Sequence, residues 1–141
     1  MSTSEEIFSL VKPYVEEGKI LPRDIEEIEK NINDYVLIKE MDKLVACAGL
    51  KTCSNKNMGE IYSLAVNQNN LNQGLSLKLL DLLIQSAKNR NIRQVFALTK
   101  FGKKWFIDHG FIEKTIESLP KDRQKKYDHQ RKSSIFFLNV N

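Results

Sequence analysis

The sequence of 141 residues has little of what marks metal-binding or disulfide-rich proteins, with only two cysteines and two histidines. Cys47 and Cys53 are six positions apart in what reads as one extended strand. They would be roughly 20 Å apart at about 3.3 Å per residue, too far for a disulfide unless the chain folds back. Their spacing also matches no zinc pattern. We therefore expect two reduced thiols and no metal site.

Long apolar runs and a targeting leader are also missing. No stretch approaches the length of a membrane helix, and the start, MSTSEEIFSLVKPY, has acids where a signal peptide would have basic residues. These absences predict a cytoplasmic protein that does not associate with a membrane. The apolar content of 41% and the absence of repeats or linkers predict a single domain over residues 1–141.

The charge of the chain is modest in sum, at +4, but uneven in distribution. Acids dominate the first third, while residues 121–132 read KDRQKKYDHQRK. Such a run favours an anionic partner, which could be a nucleic acid or a small anionic substrate or cofactor. No aromatic stacking platform is interleaved with the basic residues, so the small anion is favoured over nucleic acid.

The first thirty residues contain two amphipathic patterns. Thr3 and Glu6 stand in capping-box register ahead of apolar residues that recur at helical spacing. A second, shorter helix is predicted with Pro22 at its start and one apolar stripe formed by Ile25, Ile28 and Ile32.

The centre of the chain predicts three consecutive strands. YVLIKEMDKLVACAGLKTC reads as two strands with a turn near residues 41–43, and MGEIYSLAV is a third, which together suggest an antiparallel meander. A broadly apolar helix from Leu75 then leads to the strand RQVFALT, parallel to the strand before the helix. A short helix around Trp105, a strand from Phe111 and a last strand SSIFFLNV complete an α/β fold with a mixed, mostly antiparallel sheet flanked by helices.

The junction between the third strand and the long helix is where a ligand is expected. In LAVNQNNLNQGLSLKLL, Gly74 is followed directly by the helical pattern. The free N–H groups and the positive dipole end of a helix start favour an anion, most commonly phosphate. The alternative is that Gly74 only permits a tight turn.

The junction and the order of the elements resemble those of Gcn5-related N-acetyltransferases (GNAT). The family pattern at the junction is Arg or Gln, two free positions, Gly, one free position, then Gly or Ala; here Leu71 to Ser76 match only at Gly74. VFALT and WFIDHGF follow in the family's order. The resemblance implies the GNAT acyltransferase fold without its usual first strand, and acetyl-CoA as cosubstrate. It implies cofactor contacts from Leu64, Ala65, Val66, Leu71, Asn72, Gln73, Gly74, Leu75, Ser76 and Leu77.

Within GNAT, the chain most resembles the acetyltransferase domains that acetylate the α-amine of L-glutamate in arginine biosynthesis, those of N-acetylglutamate synthases. The segments that carry this resemblance are PYVEEGKILPRDIEEIEKNI, MGEIYSLAV, VFALT, WFIDHGF and LPKDRQKKYDHQRKSS. It implies direct transfer in a ternary complex, with Glu60 as general base and Thr99 as proton donor to the leaving thiolate. Phe106 stands where many members have the tyrosine that protonates this thiolate.

The substrate's two carboxylates would be bound by guanidinium groups, for which Arg23 and Arg131 are the candidates, helped by Ser63 and Ser133. A bulge of the strand around Ser63 to Leu64 would offer a backbone N–H to the oxyanion. Each candidate could instead have a purely structural role. Glu60 could be an exposed strand residue, Thr99 a strand filler, Arg23 a surface partner of Glu26 or Glu27, and Arg131 one member of the basic run.

Two other functions stay open on the sequence. One is acetylation of a different amine, such as another amino acid, a polyamine or a protein N-terminus, although a positive cleft argues against a polyamine. The other is a non-catalytic module that binds CoA. A homodimer also stays open.

Overall fold

The computed structural model describes residues 1–140, so Asn141, the last residue of the predicted domain, lies outside the described residues. The first helix, α1 (Thr3–Glu16), is capped by Ser2, whose hydroxyl accepts a hydrogen bond from the N–H of Glu5. The Glu5 carboxylate accepts one from the N–H of Ser2 in return. The predicted capping box of Thr3 and Glu6 is therefore wrong by one residue, because Ser2 is extended and Thr3 is already helical.

The second helix, α2 (Ile25–Lys30), begins later than predicted. Asp24 is its N-cap and accepts a hydrogen bond of 2.8 Å from the N–H of Glu27, while Pro22 precedes the helix. The start predicted at Pro22 is wrong because a capping carboxylate satisfies the free N–H groups, which a proline cannot do. In the predicted stripe, Ile28 is buried against α1 and Ile25 is exposed.

Within residues 1–140 the sheet has six strands: β1 (Tyr35–Glu40), β2 (Lys43–Thr52), β3 (Met58–Val66), β4 (Gln94–Thr99), β5 (Ile112–Lys114) and β6 (Ser134–Asn139). Their order in the sheet is β1-β2-β3-β4-β6-β5. Its strands β1, β2 and β3 form the predicted antiparallel meander, with the turn at Met41 and Asp42. Strands β3 and β4 are parallel, and the other neighbours are antiparallel, which confirms the predicted fold class.

Three further helices follow β3. The longest, α3 (Leu75–Asn89), connects β3 to β4, and α4 (Lys103–Asp108) contains Trp105 as predicted. The helix α5 (Lys121–Lys125) was not predicted, because five mostly charged residues carry no apolar period. No helix within residues 1–140 has both the length and the apolar character needed to cross a bilayer.

The two faces of the sheet are covered differently. One face packs against α3, whose Leu79, Leu83 and Ala87 are fully buried there. The other face is covered by two separate groups of side chains. One belongs to α1 and α2 and packs around Cys47, and the other packs around Phe96 with Leu119.

Candidate functional site

The middle of the sheet splits where the site is expected. The parallel pairing of β3 with β4 ends at Ile61 and Ala97, and β3 continues to Val66. In the same stretch, β3 bulges against β2, and Ser63 takes a left-handed backbone with φ of +51°. The strand therefore bulges around Ser63 to Leu64, which is the condition for a backbone N–H there to face the oxyanion.

A cleft of about 450 Å³ opens at this split. It gathers residues from the α1–α2 connection, β3, β4, the first turn of α3 and the segment from α5 to β6. The residues singled out from the sequence that line it are Arg23, Glu60, Ser63, Leu64, Ser76, Thr99, Arg131 and Ser133. Lining residues that sequence reasoning missed include Lys19, Tyr62, Trp105, Arg123, Lys126 and Tyr127.

Arg23 reaches the cleft from the segment before α2. Its Nη1 donates to Ser63 Oγ at 3.1 Å, and its Nε lies 3.3 Å from the carboxylate of Glu27. The guanidinium also lies 4.6 Å from the centre of the Tyr62 ring, within cation–π range. Arg23 therefore pairs with Glu27, as expected for a partner on the helix surface, and it also lines the cleft.

Tyr62 is a support beneath Arg23 that the sequence did not reveal. Its hydroxyl donates to Asp34 Oδ2 at 2.7 Å. Burial, reinforced by this carboxylate, raises the pKa of Tyr62, so the phenol stays neutral. A Cβ on Gly49 would stand 2.6 Å from the ring, so only glycine leaves room for the ring in this position.

Glu60 is bound on both oxygens by Arg123 of α5. Arg123 Nε donates to Glu60 Oε1 at 2.7 Å, and Nη2 donates to Oε2 at 3.2 Å. Only 17% of the Glu60 side chain and 21% of the Arg123 side chain are exposed. Glu60 is thus no free surface residue. The only sequence signal for Arg123 is its position in the segment LPKDRQKKYDHQRKSS, because nothing local pairs residues 63 positions apart.

The hydroxyl of Thr99 closes a turn after β4. It donates to the carbonyl of Phe101 and accepts from the N–H of Phe101 at 3.1 Å. Phe106 also lines the cleft and stacks on Phe136, with ring centres 5.2 Å apart. The side chains of Phe101 and Phe106 carry no exchangeable proton. Thr99 therefore has the only side-chain hydroxyl among these three cleft residues.

The segment before β6 contributes the remaining predicted side chains. Tyr127 donates its hydroxyl proton to the carbonyl of Ser133 at 2.7 Å, and Ser133 is buried. Arg131 Nη2 donates to the carbonyl of Gly18 at 3.0 Å. Arg131 thereby bridges this segment to the end of α1.

The junction before α3 has the geometry of an anion site. Gly74 is the N-cap with φ of +75°, no side chain caps the helix, and the first helical hydrogen bond runs from Lys78 N to Gly74 O. The N–H groups of the first turn therefore have no partner within the helix. A Cβ on Gly74 would meet nothing within 4 Å, so the space above the loop is open.

The neighbours of Gly74 take different positions. Leu71 is half exposed and Leu75 is buried in the core, so Leu75 presents only its backbone. Ser76 Oγ accepts a hydrogen bond of 3.2 Å from Trp105 Nε1, which joins α3 to α4. In the strand before the loop, the carbonyl of Val66 accepts a hydrogen bond of 2.6 Å from the hydroxyl of Tyr14.

The charges around the cleft favour an anion. Cationic side chains outnumber acidic ones among its lining residues, and low-dielectric walls strengthen such a field. The cationic residues are Lys19, Arg23, Arg123, Lys126 and Arg131, and the acidic ones are Glu60 and Asp128.

Comparison with known proteins identifies the family of this fold and cleft. The family described as "Acetyltransferase (GNAT) family" matches residues 4–104. The chain belongs to the GNAT acetyltransferase family. The GNAT resemblance inferred from its sequence motifs is therefore confirmed.

Among curated proteins, this GNAT chain is 31% identical over 134 residues to an amino-acid acetyltransferase of Vibrio atlanticus. The match covers 95% of this chain and 30% of the relative. The chain is 34% identical over 132 residues to an amino-acid acetyltransferase of Aliivibrio fischeri, again covering 30% of the relative. It thus spans about a third of the length of these curated relatives.

Among solved structures, the chain is similar to N-acetylglutamate synthase from Neisseria gonorrhoeae complexed with coenzyme A and N-acetyl-glutamate. The TM-score is 0.94 at 31% identity, covering 100% of this chain and 34% of the other. An acetyltransferase of the GNAT family from Staphylococcus aureus Mu50 matches with a TM-score of 0.80 at 25% identity. There the match covers 98% of this chain and 93% of the other, so the fold also occurs in chains of similar length.

Both cysteines are free thiols, as expected. Burial raises the pKa of Cys47 to about 12. The pKa of Cys53 is raised to about 11, first by burial and then by the negative charges of Glu60 and Asp122. Because the thiolate is the reactive form, both groups are poor nucleophiles near neutral pH.

Proposed function

We propose that the chain is an acetyl-CoA-dependent N-acetyltransferase that acetylates the α-amine of L-glutamate, a step of arginine biosynthesis, by direct transfer in a ternary complex. The observation that carries this proposal is one cleft that runs from the first turn of α3 to several guanidinium groups and is lined by a carboxylate. The amino-acid acetyltransferases and the N-acetylglutamate synthase similar to this chain support the choice of substrate.

The proposed position of acetyl-CoA follows from the open backbone of the junction. Acetyl-CoA supplies the acetyl group as a thioester. The N–H groups from Gln73 to Leu77 would hold its pyrophosphate, with Leu71 and Asn72 at the start of the loop. Where β3 has separated from β4, the backbone of Leu64, Ala65 and Val66 would hold the arm that carries the thioester.

The proposed position of glutamate follows from the charges. Arg23 and Arg131 are the candidates for the two carboxylates, because planar guanidinium groups bind carboxylates with two hydrogen bonds. Ser63 lies beside Arg23, and Ser133 lies two residues after Arg131 in the same cleft. These hydroxyls would complete the carboxylate sites.

The proposed chemistry needs three groups of the chain. Glu60 takes one proton from the substrate ammonium, directly or through a water, and the freed nitrogen bonds to the thioester carbonyl carbon. A backbone N–H at the Ser63–Leu64 bulge stabilises the oxyanion that develops. When the carbon–sulfur bond breaks, Thr99 gives a proton to the thiolate and takes in its place the second proton that the nitrogen must lose to become an amide. For this step the Thr99 hydroxyl must leave the carbonyl of Phe101.

The test is thiol release from acetyl-CoA in the presence of glutamate, glutamine, alanine or spermidine, with the product identified by mass. We expect a strong preference for glutamate and little reaction with spermidine, which the positive cleft repels. Equal rates with glutamate, glutamine and alanine would refute the glutamate assignment even if acetyl transfer occurred. Binding of acetyl-CoA without thiol release from any amine would favour a non-catalytic module.

A further inference from the structure

Arg123 is hydrogen-bonded to the carboxylate of Glu60, which the proposed reaction requires as a base. Both oxygens of Glu60 accept hydrogen bonds from one guanidinium, at 2.7 and 3.2 Å. A positive group in this position also repels an approaching ammonium. Loss of these two bonds would remove this repulsion and leave both oxygens of Glu60 open to the substrate ammonium.

The surroundings of the pair give the guanidinium room to move. Glu60 and Arg123 line the main cleft, and they also line a second cavity of about 220 Å³ beside it. The ion pair is therefore part of the wall between two open spaces, so Arg123 can rotate away from Glu60 without displacing the packed core. Arg23, Tyr62 and Lys126 belong to both linings as well.

A substrate can move Arg123 only if it offers the guanidinium a better partner. Glutamate and glutamine both carry an ammonium and an α-carboxylate, whose charges cancel. Glutamate brings one further carboxylate, and each carboxylate has enough acceptor sites to be shared by two guanidinium groups. The side-chain carboxylate is thus the group that distinguishes the two amino acids in their attraction for Arg123.

We propose that Arg123 determines substrate specificity: the side-chain carboxylate of the substrate draws its guanidinium away from Glu60, and the freed Glu60 then accepts the ammonium proton. This inference rests on the proposed acetylation of glutamate. It assigns to Arg123 a role that differs from that of Arg23 and Arg131. The two binding arginines set how tightly glutamate binds, whereas Arg123 sets whether the bound amine reacts. Its effect therefore lies in kcat.

The test is the ratio of kcat for glutamate to kcat for glutamine in the wild type and in Arg123→Gln. In the wild type we expect this ratio to exceed about tenfold, because bound glutamine leaves Arg123 on Glu60. In Arg123→Gln we expect kcat for glutamine to rise and the ratio to fall to within about threefold, while KM for glutamate increases. Arg123→Met, of similar length and without charge, carries the same expectation if the glutamine variant does not fold.

Lys125→Gln is the matched control. It removes one positive charge from the same helix, and Lys125 is exposed and lines neither cavity. We expect it to leave the kcat ratio at the wild-type value. If it lowers the ratio as far as Arg123→Gln does, the effect comes from the general charge of α5, and the role of Arg123 is refuted.

Three other results would overturn the assignment. An equal fall of kcat for both amino acids in Arg123→Gln would mean that Arg123 only braces α5 against β3. A wild type with the same kcat for glutamine as for glutamate would leave no specificity in kcat for Arg123 to determine. Unchanged kcat values for both amino acids in a folded Arg123→Gln variant would refute the role of Arg123 and leave the proposed function intact. Absence of acetyl transfer to every amino acid would instead remove the proposed function, and this inference with it.

Discussion

The two ends of the cleft are built in opposite ways. One end adjoins the junction before α3, which reaches the cleft lining at Ser76 and offers backbone N–H groups from one continuous stretch. The other end is made of side chains that come from distant parts of the chain, such as Arg23, Glu60 and Arg131. One end is local in sequence and the other is assembled by the fold.

This difference decides how each end responds to substitution. Every residue other than proline has a backbone N–H, so the junction keeps its donors although Leu71 and Ser76 depart from the family pattern. A guanidinium or a carboxylate has no such redundancy, because its replacement removes the chemistry itself. We therefore expect larger effects from single changes at the end of the cleft that is built from side chains.

The largest effect is expected from Glu60→Gln. If Glu60 takes the ammonium proton, the variant should lose roughly two to four orders of magnitude in kcat. The amide keeps a carbonyl oxygen for Arg123, so the fold should persist, which a thermal melt checks. Acetyl-CoA affinity measured by calorimetry should be unchanged. Turnover near the wild-type level across the pH range would exclude Glu60 as the base.

The next largest effect is expected from the two arginines proposed to bind the carboxylates of glutamate. In Arg23→Ala or Arg131→Ala, a substrate carboxylate loses its partner, which we expect to weaken glutamate binding by about 2–5 kcal/mol. Acetyl-CoA binding should persist, and one of the two variants should lose most of the preference for glutamate over glutamine. Lysine at that position should restore little, because it lacks the planar fork.

Arg93→Ala is the matched control for these variants, because Arg93 is exposed and lines neither cavity. We expect wild-type KM values for glutamate in this control. Titration of glutamate by calorimetry against each variant provides the comparison. Glutamate affinity that is equal in Arg23→Ala, Arg131→Ala and Arg93→Ala would show that the carboxylates are bound elsewhere.

Gly74→Val is expected to weaken acetyl-CoA binding at the junction before α3. A side chain there would fill the open space above the loop and keep phosphate from the backbone, so we expect acetyl-CoA to bind about tenfold or more weakly. Gly110→Val is the control, since Gly110 also has a positive φ, of +92°, and follows α4 rather than the junction before α3. Both variants should lose about 1–2 kcal/mol of folding stability from backbone strain. If both keep wild-type CoA affinity, the phosphate does not lie over Gly74.

The smallest effect is expected from Leu71→Gln, which restores a residue of the family pattern. Leu71 is half exposed, and one hydrogen bond from a neutral side chain contributes about 0.5–1.5 kcal/mol net. We therefore expect acetyl-CoA affinity to rise by no more than about tenfold in calorimetry. A gain of two orders of magnitude would mean that side chains, and not backbone groups, dominate the junction.

The sequence by itself determined the elements whose signals are local. The meander, the succession from β3 through α3 to β4, the bulge at Ser63 and the junction at Gly74 could all be predicted, because each depends on neighbouring residues or on a motif at fixed spacing. Local signals did not predict the N-cap residues of the first two helices correctly. The cap of α1 lies at Ser2 and that of α2 at Asp24, because several adjacent residues compete for each cap.

Only the tertiary structure decided which side chains meet in the cleft. Arg123 belongs to a run of similar basic residues, and nothing in that run distinguishes it from Lys125 or Lys126. Its pairing with Glu60 arises because the chain returns through β6 beside β4, which brings α5 within hydrogen-bond distance of Glu60 on β3. Tyr62 likewise supports Arg23 because β2 offers Gly49 opposite its ring. Contacts between residues far apart in the chain depend on packing, which no local pattern records.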